Sequence, residues 1–198
     1  MSAFLGPIHF WLYDKIIFQE KLIEFIADSA KNDGLDENGI FGDRFVSKDK
    51  RSLEELIDES NIHGWLQSRI ADAESRYAGL IHEIIGKENG KDILKKYVDQ
   101  FGKNNQINPD LSAMDIYQEF DNKLLNGMPC DRVNVIVSQD IDSVTYEQTC
   151  DIHAKYFEDA KVSPAIYDEL RIVLMNSMMD DTKYFVQNMG GSYTIALK

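Results

Sequence analysis

Apolar positions recur at spacings of three and four through most of the first 125 residues and alternate every second residue from about 132 onward, which predicts helices first and strands later. Gly6-Pro7 marks a helix entry, because proline fits a first turn. Leu12, Ile16, Ile23 and Ile26 then form a seam that carries the helix over residues 7–30. His9 and Gln19 fall on that same seam. Residues 31–50 are polar, glycine-punctuated and aperiodic, and read as a loop. The run Asp36-Glu37-Asn38-Gly39 invites a calcium-loop reading, but Gly39 in the turn position places Gly34 and Phe45 where an EF-hand needs carboxylates.

Ser52-Leu53-Glu54-Glu55 is a capping box and predicts the start of a long helix to about Ile85. Its seam reads Leu56, Glu59, His63, Leu66, Ile70, Ala73, Tyr77, Leu80 and Ile84. A short helix over 92–101 follows, and Asn108-Pro109 opens another that runs to about Leu125. Beyond it, residues 132–138 read as a strand, Asp140 and Asp142 as a turn, and residues 144–147 as a second strand. Ser163-Pro164 opens a helical run that Gly190-Gly191 stops, and residues 192–197 form a closing strand. The fold class is therefore α+β and predominantly α: a single domain in which residues 1–126 form a helical bundle and residues 127–198 an α+β part with a small antiparallel sheet.

Composition narrows the partners. With 34 acidic against 21 basic residues the net charge is −13, which repels phosphate backbones and anionic membrane surfaces. The expected partner is a small molecule, not nucleic acid and not a membrane. Two cysteines are too few for a disulfide framework, and the apolar start of the chain has neither a basic flank before it nor a cleavage signature after it, so a cytoplasmic location is expected. Glycine-rich phosphate loops and the Gly-x-Ser-x-Gly elbow do not occur.

The densest chemistry lies at Cys150-Asp151-Ile152-His153-Ala154-Lys155-Tyr156-Phe157. On a helix, Cys150, His153 and Phe157 would share one face. A thiol with an ordinary pKa near 8.5 becomes a nucleophile or metal ligand when a cation, a metal or a helix N-terminus stabilises its thiolate, and His153 one turn away is a candidate activator. The alternative is that both are packing residues. Glu59 and His63, four apart, are spaced to share a proton or a metal, and His9 is a further candidate ligand; a transition metal such as zinc suits this donor set. Against that, Glu59 near a helix start favours the positive end of the helix dipole, and His9 can sit exposed at a helix entry.

The residues Val144-Thr145-Tyr146, Cys150-Asp151-Ile152-His153, Tyr156-Phe157 and the terminal Gly190-Gly191-Ser192-Tyr193 resemble the L-2-amino-thiazoline-4-carboxylic acid hydrolase family, over about residues 131–197. That family carries a second cysteine in the following helix, where this chain offers only Asp180 and Asp181. The resemblance implies shared architecture and a hydrolase acting on a cyclic amide- or thiazoline-like carbon. The sequence thus leaves two function classes: a small-molecule enzyme with a Cys150/His153 site, or a non-catalytic domain that binds a small ligand or a protein.

Overall fold

The structure, a computed structural model, describes residues 5–198. Helix α1 spans Pro7–Asn32, and the Gly6 N–H at its entry donates to Nδ1 of His9 at 2.9 Å. His9 therefore sits on the seam as part of the helix start, closing a backbone donor that the first turn leaves open. Within the stretch read as a loop, helix α2 spans Ile40–Phe45. The buried Asp36 carboxylate accepts from the Ile40 and Phe41 N–H groups at 2.8 Å each, and this anchor turns Phe41 and Phe45 into the core. Six residues are too short for periodicity to register, so a polar loop concealed a helix whose buried apolar content is two rings.

The Ser52 capping box opens only α3, Leu53–Leu56, because Ile57 is extended and ends it. The long helix is α4, Ile62–Ile85, capped by the Asn61 side chain, which accepts from the Gly64 N–H at 3.2 Å. Glu59 lies in a separate 3₁₀ turn, Glu59–Asn61. Helices α5 (Gly90–Asn104) and α6 (Ala113–Lys123) complete the bundle part; α6 starts at a Ser112/Asp115 capping box, several residues after the Asn108-Pro109 start expected. Helices α7 (Ala154–Asp159) and α8 (Ala165–Met178) belong to the second part.

Strands β1 (Asn134–Gln139), β2 (Ser143–Gln148), β3 (Tyr184–Met189) and β4 (Ser192–Leu197) make one antiparallel sheet in the order β1-β2-β4-β3. The helix-dominated α+β class expected from the sequence is what the chain adopts. Strand β3 replaces the last part of the helical run that was expected to reach Gly190. The Thr182 hydroxyl donates to the Met179 carbonyl and accepts the Tyr184 N–H, which closes α8 and starts a Tyr-Phe-Val segment suited to a half-buried sheet. Gly190 and Gly191, with φ of +65° and +90°, supply the tight hairpin.

One core runs through both parts, joining α1, α4, α5 and α8 to Val144, Tyr146, Val186 and Ile195 of the sheet. A second cluster links α1 and α4 to Leu125 and Met128. Helices α5 and α8 pack closely at Gly102, where an added Cβ would lie 2.5 Å from Ser177 Cβ and 2.9 Å from the Leu174 carbonyl oxygen. Glycine to alanine in a helix ordinarily stabilises by up to about 1 kcal/mol. Gly102→Ala is instead expected to cost about 1–3 kcal/mol in urea unfolding, because backbone atoms must move to admit the methyl. A neutral or stabilising result would refute the close approach.

Candidate polar clefts either side of the 125–131 turn

Cys150 is exposed in the loop between β2 and α7, and its Sγ has the Thr149 hydroxyl 3.9 Å away. Helix α7 begins only at Ala154, so Cys150 and His153 do not share a helical face. The Asp151 carboxylate accepts from the His153 and Ala154 N–H groups at 3.0 and 2.8 Å, and this turn drives the imidazole inward until the residue is 3 % exposed. Its two ring nitrogens face Glu74 and Tyr167, which corrects the expected pairing of thiol and imidazole.

The proposed metal ligands are not gathered either. His9 and His63 come together, with ring centroids 5.6 Å apart, but Glu59 and His63 are exposed and belong to different helical segments. Because His9 Nδ1 accepts the Gly6 N–H, a neutral ring carries its proton on Nε2, the nitrogen that would have to ligate. Among the described residues no three His, Cys, Asp or Glu side chains are placed to hold a metal ion. His9, Glu59 and His63 are thus not brought together as one ligand set among the described residues.

What the fold does assemble is a buried polar chain that the sequence reading passed over. Arg171 of α8 donates from Nη1 to the Tyr167 hydroxyl and to the Leu125 carbonyl, and from Nη2 to Asn126 Oδ1 at 2.7 Å. A guanidinium has donors only, so the Tyr167 oxygen accepts from it and its O–H is left to donate to His153 Nε2 at 2.9 Å. Burial pushes the Tyr167 pKa well above its ordinary value, which keeps that proton in place despite the neighbouring Arg171 charge. The imidazole proton is thereby assigned to Nδ1, 3.1 Å from Glu74 Oε2. The approach is oblique and falls short of a good hydrogen bond. Glu74, 1 % exposed on the inner face of α4 between Ile70 and Tyr77, has no hydrogen-bond donor on either carboxylate oxygen among the described residues.

Glu74 and His153 line a cleft of about 190 Å³ together with Gln67, Asp131, Asp151 and Lys155. On the opposite side of the same turn lies a second cleft of about 380 Å³, formed by Trp11 and Lys15 of α1, Tyr117 and Asp121 of α6, and Arg132 and Val135 at the start of the sheet. Gly127 lines both clefts with φ of +70°, and a Cβ there would lie 2.7 Å from Asp131 Oδ2 and 2.9 Å from Ile152 Cδ1. The turn is thus confined to glycine by backbone angle and by space.

Lys15 is 3 % exposed, with its ammonium 3.6 Å over the Trp11 ring and 3.8 Å from Asp121 Oδ1. The indole N–H donates to Asn122 Oδ1 at 2.9 Å, which fixes that roof. Burial lowers the Lys15 pKa to about 8; Asp121 opposes the shift and the Arg171 charge adds to it. A lysine depressed in the folded state binds fewer protons there than in the unfolded chain between pH 8 and its ordinary value, so stability rises with pH across that window. The unfolding free energy of the native protein relative to Lys15→Met is expected to climb between pH 8 and 10 by up to about 1.4 kcal/mol per pH unit. A pH-independent difference would show that Lys15 is not desolvated.

Lys15, Glu74 and Arg171 carried one signal in the sequence. Each stands three or four residues from buried seam members: Leu12 and Gln19, Ile70 and Tyr77, Tyr167 and Leu174. A charged residue at core spacing is the informative position, since burying it needs partners.

No protein-family model, curated protein or solved structure matches the chain. The hydrolase resemblance therefore rests on the residues quoted for it above. No helix among the described residues is long and apolar enough to cross a membrane.

Proposed function

We propose that the protein is a small-molecule enzyme whose general base is Glu74, acting in the cleft it shares with His153 on a compact substrate that carries an N–H group beside a polarised sp² carbon. The carrying observation is the Glu74 carboxylate: it is sealed from solvent, lines a cleft, and has no donor of its own. A buried carboxylate without hydrogen bonds is costly unless something supplies them, and a substrate N–H or an attacking water does so. In the forward step Glu74 takes a proton from water as the oxygen adds to the carbon, then returns it to the departing nitrogen. His153 Nδ1–H faces the carboxylate at 3.1 Å without a good hydrogen bond to it, and Tyr167 with Arg171 holds the imidazole in that tautomer. Cyclic amides, amidines and thiazolines fit this chemistry, and Cys150, exposed in its loop, has no part in it.

The test is hydrolysis of 2-amino-thiazoline-4-carboxylic acid and of simple cyclic amides, followed by product chromatography. Glu74→Gln is expected to lower the rate at least about 100-fold, the ordinary worth of a positioned base, while Cys150→Ser leaves it unchanged. Activity that survives Glu74→Gln, or vanishes in Cys150→Ser, overturns the assignment. A second reading, ligand binding without turnover, is favoured by one observation: both imidazole nitrogens face protein groups, Nε2 in a hydrogen bond with Tyr167 and Nδ1 towards Glu74. It expects a thermal shift with these compounds, abolished in Glu74→Gln, and no product.

A further inference from the structure

We propose that Lys15 is an imine-forming amine, and that the cleft it lines takes small carbonyl compounds bearing a carboxylate. The placement carries the argument. Lys15 points into the cleft from α1, its flexible stem and ammonium are covered by the fixed Trp11 ring, and Asp121 stands 3.8 Å away, too far to hold the ammonium by a hydrogen bond yet near enough to exchange a proton through one water. Desolvation of this kind favours the neutral amine, the nucleophilic form, and is how lysines become Schiff-base nucleophiles. The low pKa agrees with the geometry. At the rim, Arg132 adopts φ of +47°, an uncommon angle for a residue other than glycine, at the point where the turn enters β1. Its side chain lines the same cleft and supplies a cation for a carboxylate.

The step balances without any redox partner. Neutral Nζ attacks the carbonyl carbon, the C–N bond forms, and the carbonyl oxygen takes up a proton while the nitrogen loses one, giving a carbinolamine. Asp121, through water, serves as the carrier in both transfers. The remaining N–H proton passes by the same carrier to the hydroxyl, which leaves as water as the nitrogen lone pair forms the C=N bond to Lys15; addition of water reverses the sequence. Tyr117, across the cleft, stays protonated because burial raises its pKa, and it is available to donate to the carbonyl oxygen. This chemistry is separate from that of the Glu74 cleft and stands or falls independently of it.

The experiment uses the intact native protein. It is incubated at about pH 7.5 with glyoxylate and cyanoborohydride, which traps an imine as a stable secondary amine, and the modified lysines are ranked by peptide mass spectrometry at short times. Lys15 is expected to react at least about tenfold faster than the exposed Lys87 and Lys161, because a much larger fraction of it is neutral at that pH. Arg132→Ala is expected to slow the Lys15 reaction with glyoxylate several-fold and to leave the reaction with uncharged propionaldehyde unchanged. Lys15 modified no faster than Lys87 by either aldehyde overturns the proposal, and equal effects of Arg132→Ala on both aldehydes overturn the carboxylate preference. Since the lysines compete within one native molecule, the ranking does not depend on a variant folding.

Discussion

Replacing Arg171 by methionine is expected to lower the unfolding free energy by about 3 kcal/mol. The guanidinium is buried with Asn126 Oδ1, the Leu125 carbonyl and the Tyr167 hydroxyl as its acceptors. Hydrogen bonds to a charged group are worth about 1.5–3 kcal/mol each, and the acceptors left behind are buried, so they cannot turn to water. Two effects act the other way: the guanidinium is no longer desolvated, and methionine fills part of its volume with apolar contact. The lost bonds prevail because three groups from two segments are stranded at once. Arg171→Lys keeps the charge without the planar fork that reaches both Asn126 and Tyr167, and is expected to recover less than half of the loss. Urea unfolding of the three proteins decides the matter; a cost below about 1 kcal/mol for the methionine variant would mean that Arg171 does not hold the turn.

His153→Leu is the second large effect, expected at about 3 kcal/mol, and its interest lies in what rescues it. Leucine removes the imidazole whose Nδ1 faces Glu74 Oε2 at 3.1 Å and leaves the enclosed carboxylate against hydrocarbon. Breaking one side of a buried polar pair costs about 3–5 kcal/mol, whereas replacing both sides with apolar groups of similar volume is often close to neutral. Adding Glu74→Leu to His153→Leu is therefore expected to restore most of the stability, a coupling of about 2 kcal/mol in the double-mutant cycle. If the double variant is no more stable than His153→Leu, the two side chains do not act as a pair, and the 3.1 Å contact between them has no energetic meaning.

The class of the fold was legible because long amphipathic stripes and alternating strands announce themselves, and the terminal strand lies where alternation put it. Short elements were not. Helix α2 hides in a polar segment because its anchor is the Asp36 carboxylate, a long-range fact for a one-dimensional reading. The long-helix seam was begun too early, since Leu56, Glu59, His63 and Leu66 keep three-four spacing across a break that starts at the extended Ile57. Site prediction failed for a related reason. Residue types with reactive names, Cys150, Glu59 and His63, drew attention although they face solvent, while Lys15, Glu74 and Arg171 sat silently among leucines and tyrosines. His153 was the exception, singled out with the wrong partner: the imidazole looks across the core to α4 and α8, and spacing along the chain cannot show that.

Gly127 belongs to the walls of both chambers and leaves no room for so much as a methyl group. The two chambers consequently cannot be reshaped separately at this point. A side chain there must displace Asp131 or Ile152 on the Glu74 side, and the same residue is part of the wall of the Lys15 hollow, so variation in either has to come from the helices that enclose it.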